Sequence, residues 1–198
     1  MPPDSTAQVA FQFAHQRLHG FMAPTYESCS TRTFFHGRTE TIRSATFEAQ
    51  QFALAMLDKN STTAEARWGL FQAAAAKHNK LARLAAEGQG GDRHLMMLKI
   101  LGKQGPNPHP FLLDPLFQRS NTWRLSTSNL SNPILGPLCF GAVVPHGYGI
   151  GYSLLAKRLS FAVASFKDNN TTDTTAFCDS LEQSLKDIVA LARQVGKA

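Results

Sequence analysis

The order in which two hydrophobic periods take turns constrains this chain most. Apolar residues at spacings of three to four predict helices over 5–19, 46–58, 63–87, 92–101 and 173–195. Short segments of strand character recur between them, at 24–35, 39–43, 122–127, 137–144, 147–154 and 158–166. A chain that mixes the two throughout is neither a helical bundle nor a β-sandwich. The order predicts an α/β fold with a mixed sheet and flanking helices. No internal repeat or low-complexity linker divides it, so residues 1–198 read as a single domain, long enough for a sizeable core or for half of a larger enzyme.

Local signals set the boundaries. Ser5 is the expected N-cap of the first helix, Val9, Phe11, Phe13 and Leu18 its apolar face, and Gly20 its end. His36-Gly37 reads as a turn between two extended segments. Trp68, Leu70, Phe71, Leu81 and Leu84 mark the core side of the long third helix, which Gly88-Gln89-Gly90-Gly91 breaks before Asp92 caps the next. Pro106, Pro108, Pro110 and Pro115 predict a loop with a short helix near 114–119. Phe177, Leu181, Leu185, Ile188 and Val195 line one face of the last helix.

Composition removes several function classes. No apolar run approaches the ~18–20 residues of a membrane span, and the start, MPPDSTAQ, lacks the basic and apolar stretches of a signal peptide. The net charge of +6 is spread without any run of four basic residues, which argues against nucleic acid and suits a phosphorylated ligand or an ordinary solvated surface. Cys29, Cys139 and Cys178 have neither metal nor redox spacing; their apolar neighbours predict buried thiols in a reducing compartment.

The chemistry concentrates in GRTETIRS at 37–44, in the preceding Tyr26–Arg32 segment, and in Ser126-Thr127-Ser128. Alternate strand residues share a face, so Tyr26, Ser28 and Ser30 line one surface with Glu27 and Cys29 on the other, and Thr39 and Thr41 are co-facial. A phenol and hydroxyls converging on Arg93 would suit a carboxylate, because a guanidinium fork binds two oxygens; half-buried strand residues would carry the same types. A hydroxyl of 126–128 could donate to a developing oxyanion, or the triplet could be a turn that satisfies its own backbone. Gly136, Gly141, Gly147, Gly149 and Gly151 permit close approach of backbone or ligand, without the strand–turn–helix setting of a dinucleotide fingerprint. Phe140 and Tyr148 could face a quaternary ammonium or lie in the core. His15 and His19 are one helical turn apart but have no acidic third ligand nearby; they read as surface helix, and no metal site is expected.

These stretches, in order PTYESCSTR at 24–32, GRTETIRS at 37–44, GGDRHL at 90–95, STSN at 126–129 and CFGAVVPHGYG at 139–149, resemble the choline/carnitine acyltransferase family. The agreement runs from about residue 5 to 195. The resemblance implies one chloramphenicol-acetyltransferase-like half of a coenzyme A-dependent acyltransferase. It implies reversible acyl transfer between acyl-CoA and carnitine, with coenzyme A as co-substrate and no permanently bound cofactor. Tyr26, Thr39 and Arg93 would hold the carnitine carboxylate, with Ser28 close by. Ser126 and Ser128 would contact carnitine and the oxyanion, Ser128 as the catalytic group, and Phe140 would face the trimethylammonium. Asn129 and Asn79 would lie along coenzyme A, at positions where relatives carry a Gln and an Arg, with Lys77 and Lys80 beside Asn79. Leu138 would fill the acyl pocket and favour short, acetyl-like groups. The carboxylate set favours carnitine over choline.

One departure matters most. The family's histidine base lies upstream of the TET segment in a His-x-x-x-Asp-Gly setting, and no such setting occurs here. The chain is therefore expected to be the C-terminal part of an acyltransferase, needing the other half or self-associating through the surface that half would cover. A catalytically inactive carnitine-binding or interaction module and a choline acetyltransferase are the alternatives. Mitochondrial and peroxisomal settings both fit, although the C-terminus is not a Ser-Lys-Leu signal.

Overall fold

The computed structural model of the protein describes residues 2–102, 109–136, 138–168 and 170–197. Its organising element is strand β1 (Thr25–Ser30), which pairs antiparallel with β2 (Thr39–Ile42) and parallel with β3 (Leu125–Asn129). β3 pairs parallel with β4 (Tyr148–Leu155), and β4 antiparallel with β5 (Arg158–Ala164), giving one mixed sheet in the order β2-β1-β3-β4-β5. The short β1–β2 link is a hairpin-like turn in which His36 adopts φ 60. The parallel β1–β3 pair needs a long crossover. It contains β2 and helices α2 (Phe47–Leu57), α3 (Ala64–Ala86), α4 (Asp92–Gly102), α5 (Pro110–Leu113) and α6 (Pro115–Ser120).

Helix α1 (Pro3–His19) lies under the sheet, packed against α2, α3 and α7 (Thr174–Gln194). It is buried almost all round, so its polar residues face partners. Gln8 donates to Thr127 and Tyr152 of the sheet, and Gln12 to Thr25, each at 3.0 Å. Phe11, Phe13, Phe52, Phe71, Ile150, Tyr152 and Phe177 form the centre of the core. Thr46, Thr63, Asp114 and Asp173 cap the helices that follow them through side-chain oxygens.

Four sequence expectations are corrected. Ser5 is not an N-cap: α1 begins at Pro3, and the Ser5 hydroxyl, within the first turn, reaches His78 and Asn79. His15 is not on a surface helix but 1% exposed. Cys139 and Cys178 are exposed and Cys29 half-buried, because tertiary position, not the apolarity of chain neighbours, decides burial. Residues 138–144 form no strand; Pro137 of that expected segment lies outside the described residues. This stretch crosses the face of β4 instead of pairing at an edge. A Cβ at Gly151 would sit 2.0 Å from the Leu138 carbonyl oxygen, and one at Gly149 would sit 2.6 Å from those of Phe140 and Gly141. The two glycines admit a backbone where any side chain would collide.

Helix α4 has no buried residue, and Met97, Leu98 and Leu101 are exposed on it. Among the described residues no helix is long and apolar enough to cross a membrane.

Candidate functional site

Arg93, in the first turn of α4, reaches over the β1–β2 end of the sheet. Its Nη2 donates to the Tyr26 hydroxyl at 3.0 Å and to Thr39 Oγ1 at 2.9 Å. Its Nε donates to the Thr39 carbonyl at 3.3 Å. Among the described residues the guanidinium has no carboxylate partner. Beside it a small cavity of about 170 Å³ is lined by Thr41, Arg93, Lys99 and Trp123 among others. Thr41 Oγ1 is buried there without a hydrogen-bond partner. A cation ringed by neutral hydroxyls, with a spare hydroxyl in reach, is suited to receiving an anion's oxygens.

The aim of Arg93 is set by its neighbours. Glu40, buried under the turn before α4, accepts from the Arg93 backbone N–H at 3.3 Å. A Cβ at Gly90 would lie 2.3 Å from the Glu40 side chain, so that turn can close only on glycine. Asp92 is gripped by Arg43, whose Nε and Nη2 reach both carboxylate oxygens at 2.6–3.2 Å. Arg43 also donates to the Ser120 carbonyl and to Asn121 Oδ1. Its guanidinium lies 4.5 Å over the Trp123 ring, which in turn meets Tyr26 edge-on at 5.7 Å. One arginine thus ties β2, α4, the end of α6 and the lead into β3.

The hydroxyl row follows from register. Tyr26 is opposite Ser126, and Ser28 Oγ stands 3.3 Å from Ser128 Oγ. Tyr26, Ser28 and Ser128 are half-buried, Ser126 buried. Phe140 and Leu138 are half-buried on the segment that crosses β4. Asn129, at the end of β3, donates to Asp4 at 3.0 Å, while Asn79 on α3 accepts from Ser5 at 2.7 Å. Tyr26, Thr39 and Arg93 therefore form one cluster, Ser28 and Ser128 a second beside it, and Asn79 and Asn129 stand toward the start of α1.

Residues 1–183 match the family model described as Choline/Carnitine o-acyltransferase. The chain belongs to this family. It is 40% identical over 193 residues to bovine (Bos taurus) mitochondrial carnitine O-palmitoyltransferase 2, covering 95% of this chain and 28% of that protein. It is 36% identical over 188 residues to chicken (Gallus gallus) choline O-acetyltransferase, covering 94% and 29%. Pigeon (Columba livia) carnitine O-acetyltransferase is 33% identical over 197 residues, covering 99% and 31%. The chain thus spans less than a third of the length of these curated relatives.

In this family member a buried polar belt underlies the open face, and sequence reasoning missed it. Glu27 points into the helices, where its Oε2 accepts from Ser44 at 2.6 Å and lies 2.7 Å from His78 Nε2. Ser5 Oγ stands 2.9 Å from His78 Nδ1. Asp4 accepts from Tyr152 at 2.7 Å, and its carboxylate lies within 4.8 Å of the Glu27 and His78 ligand atoms. Burial pushes the Glu27 carboxyl up, and His78 offsets only part of that. Burial works against a charged His78, but the hydrogen bond and charge of Glu27 outweigh it and hold its pKa above the ordinary value. The pair therefore retains a proton more tightly than its members would in water. Strand alternation put Glu27 on the inner face, but nothing in the sequence pairs it with a histidine 51 residues away.

Proposed function

We propose that this chain carries the carnitine-holding side of a carnitine O-acyltransferase, which moves an acyl group between coenzyme A and the carnitine hydroxyl. The supporting observation is Arg93, a cation held by the Tyr26 phenol and Thr39 hydroxyl with no acidic partner among the described residues. A carboxylate would complete its fork. Choline has none, and its ammonium would meet an uncompensated positive charge, so the cluster favours carnitine. Ser28 lies close to the carboxylate set, and Ser126 and Ser128 supply neutral donors to carnitine and to charge that develops on the acyl oxygen, with Ser128 as the catalytic donor. Phe140 offers a ring face to the trimethylammonium. Asn129 and Asn79 take the coenzyme A side. Leu138 restricts the acyl group to short chains, acetyl first.

On this reading the proton of the carnitine hydroxyl leaves through a histidine outside the residues described above, in keeping with a chain that matches under a third of its relatives. Of the two settings, mitochondrial and peroxisomal, the bovine relative's name supports the mitochondrial one. The test is calorimetric titration of the purified chain with L-carnitine and with choline. It is followed by a free-thiol assay for coenzyme A release from acetyl-, octanoyl- and palmitoyl-CoA. Carnitine binding that vanishes in Arg93→Ala supports the reading; equal binding of choline would sink it. Faster release from palmitoyl-CoA than from acetyl-CoA would refute the role of Leu138.

A further inference from the structure

A second cleft, larger than the one beside Arg93, opens where the chain enters β1 and β3. It measures about 780 Å³, within the ~300–1,000 Å³ range of small-molecule sites. Its apolar lining comes from Phe21, Met22 and Leu116. Arg119, Arg124 and His146 line it too, with Ser120 and Thr122, whose hydroxyls donate to the Phe117 and Gln118 carbonyls, and no Asp or Glu does. Arg43 also borders the cleft, but Asp92 already engages it.

Arg119 and Arg124 are uncommitted. Among the described residues neither side chain has an ion pair or hydrogen bond. Arg124 is half-buried, its guanidinium 5.1 Å from the centre of the Phe21 ring, which fixes it against the wall instead of in solvent. Its field is felt nearby: burial lowers the His19 pKa, and the positive charge of Arg124 lowers it further. A half-buried Arg124 and an exposed Arg119, both without counter-ions beside apolar side chains, make a surface that a plain hydrophobe or a plain salt ion would satisfy only by half.

We propose that this cleft is a second binding site, for an amphiphilic anion: a single carboxylate or phosphate head seated between Arg119 and Arg124, with an apolar tail along Phe21, Met22 and Leu116. The site is independent of the carnitine reading. Carnitine presents a quaternary ammonium, for which the lining offers no acid.

The experiment is a heteronuclear NMR titration of the isotope-labelled chain with octanoate, with 1-octanol as the uncharged counterpart and with inorganic phosphate as the head alone. Octanoate is expected to shift amides of 21–23, 25, 119–124 and 146 saturably, at least tenfold more tightly than either octanol or phosphate. The double variant Arg119→Gln/Arg124→Gln should weaken octanoate at least tenfold with an unchanged amide spectrum elsewhere. Arg93→Ala should leave octanoate binding as it was, whatever it does to carnitine. Equal affinity for octanol and octanoate would reduce the cleft to an apolar patch and overturn the proposal. So would octanoate shifts confined to the Arg93 cavity, or a double variant that folds and binds octanoate normally.

Discussion

Arg43 and Arg93 sit within one turn of each other's partners and behave as opposites. Arg43 has every arm occupied: both oxygens of Asp92, a backbone carbonyl, an amide oxygen and the face of Trp123. Arg93 meets only hydroxyls and a carbonyl, with no acid of its own. The same side chain is a rivet in one place and an empty hand in the other. The difference lies in Asp92, which stands next to Arg93 in the chain but is committed to Arg43. A charge whose valences are closed holds the fold, and one left among neutral donors is available to a ligand.

Acid should have the largest effect, and it defines where the two can be compared. Burial lowers His15 from 6.5 to about 4. The native state then binds fewer protons than the unfolded one. Stability is complete above pH 6.5 and is lost as pH falls toward about 4, at up to ~1.4 kcal/mol per pH unit. The raised pKa values of His78 and Glu27 act with the opposite sign. Denaturant melts of the protein and of His15→Gln across this range isolate the His15 contribution as the difference between profiles. Identical profiles would refute it. Binding comparisons accordingly belong near pH 7.5.

There, Arg43→Ala should cost roughly 2 kcal/mol, because it strands the largely buried Asp92 carboxylate; this lowers Tm by about 4–8 °C. It should weaken carnitine binding as well, through a loosened α4 start. A Tm within 2 °C of the parent, on the scale of ~1 kcal/mol or less, would break the comparison. Arg93→Ala should do the reverse, with a stability change within ~0.5 kcal/mol and carnitine affinity lower by about tenfold or more. Arg93→Lys should fall between, since it keeps the charge and loses the fork. Thr39→Val removes one neutral partner of the fork, and a loss of a few fold in carnitine affinity, on the order of 0.5–1.5 kcal/mol, is expected by calorimetry.

The co-facial grouping of Tyr26 with Ser28, and of Thr39 with Thr41, was legible because a strand repeats every two residues. That Arg93 completes the cluster rested on the chemistry of its guanidinium and on resemblance, not on periodicity: no local period links residue 93 to residue 26. Asp92 could be read as a helix start but not as the partner of Arg43, 49 residues away. Periodicity identified the apolar face of α1 and so missed His15, Gln8 and Gln12, which a helix surrounded by other elements buries on its remaining sides. The segment expected as a strand at 137–144 has the composition of one. That residues 138–144 instead cross β4 depends on Gly149 and Gly151 on a different element.

The register of β1 against β3 carries a consequence for how the protein comes into being. Ser28 and Ser128 are neighbours in space and 100 residues apart along the chain. Closing so long a loop is entropically slow, so the parallel pair should be a late event in folding. During synthesis the clamp of Tyr26, Thr39 and Arg93 can assemble as soon as α4 has emerged. The serine pair must wait until β3 has emerged. A stalled or shortened translation product would therefore own the Arg93 cluster without the serine pair beside it.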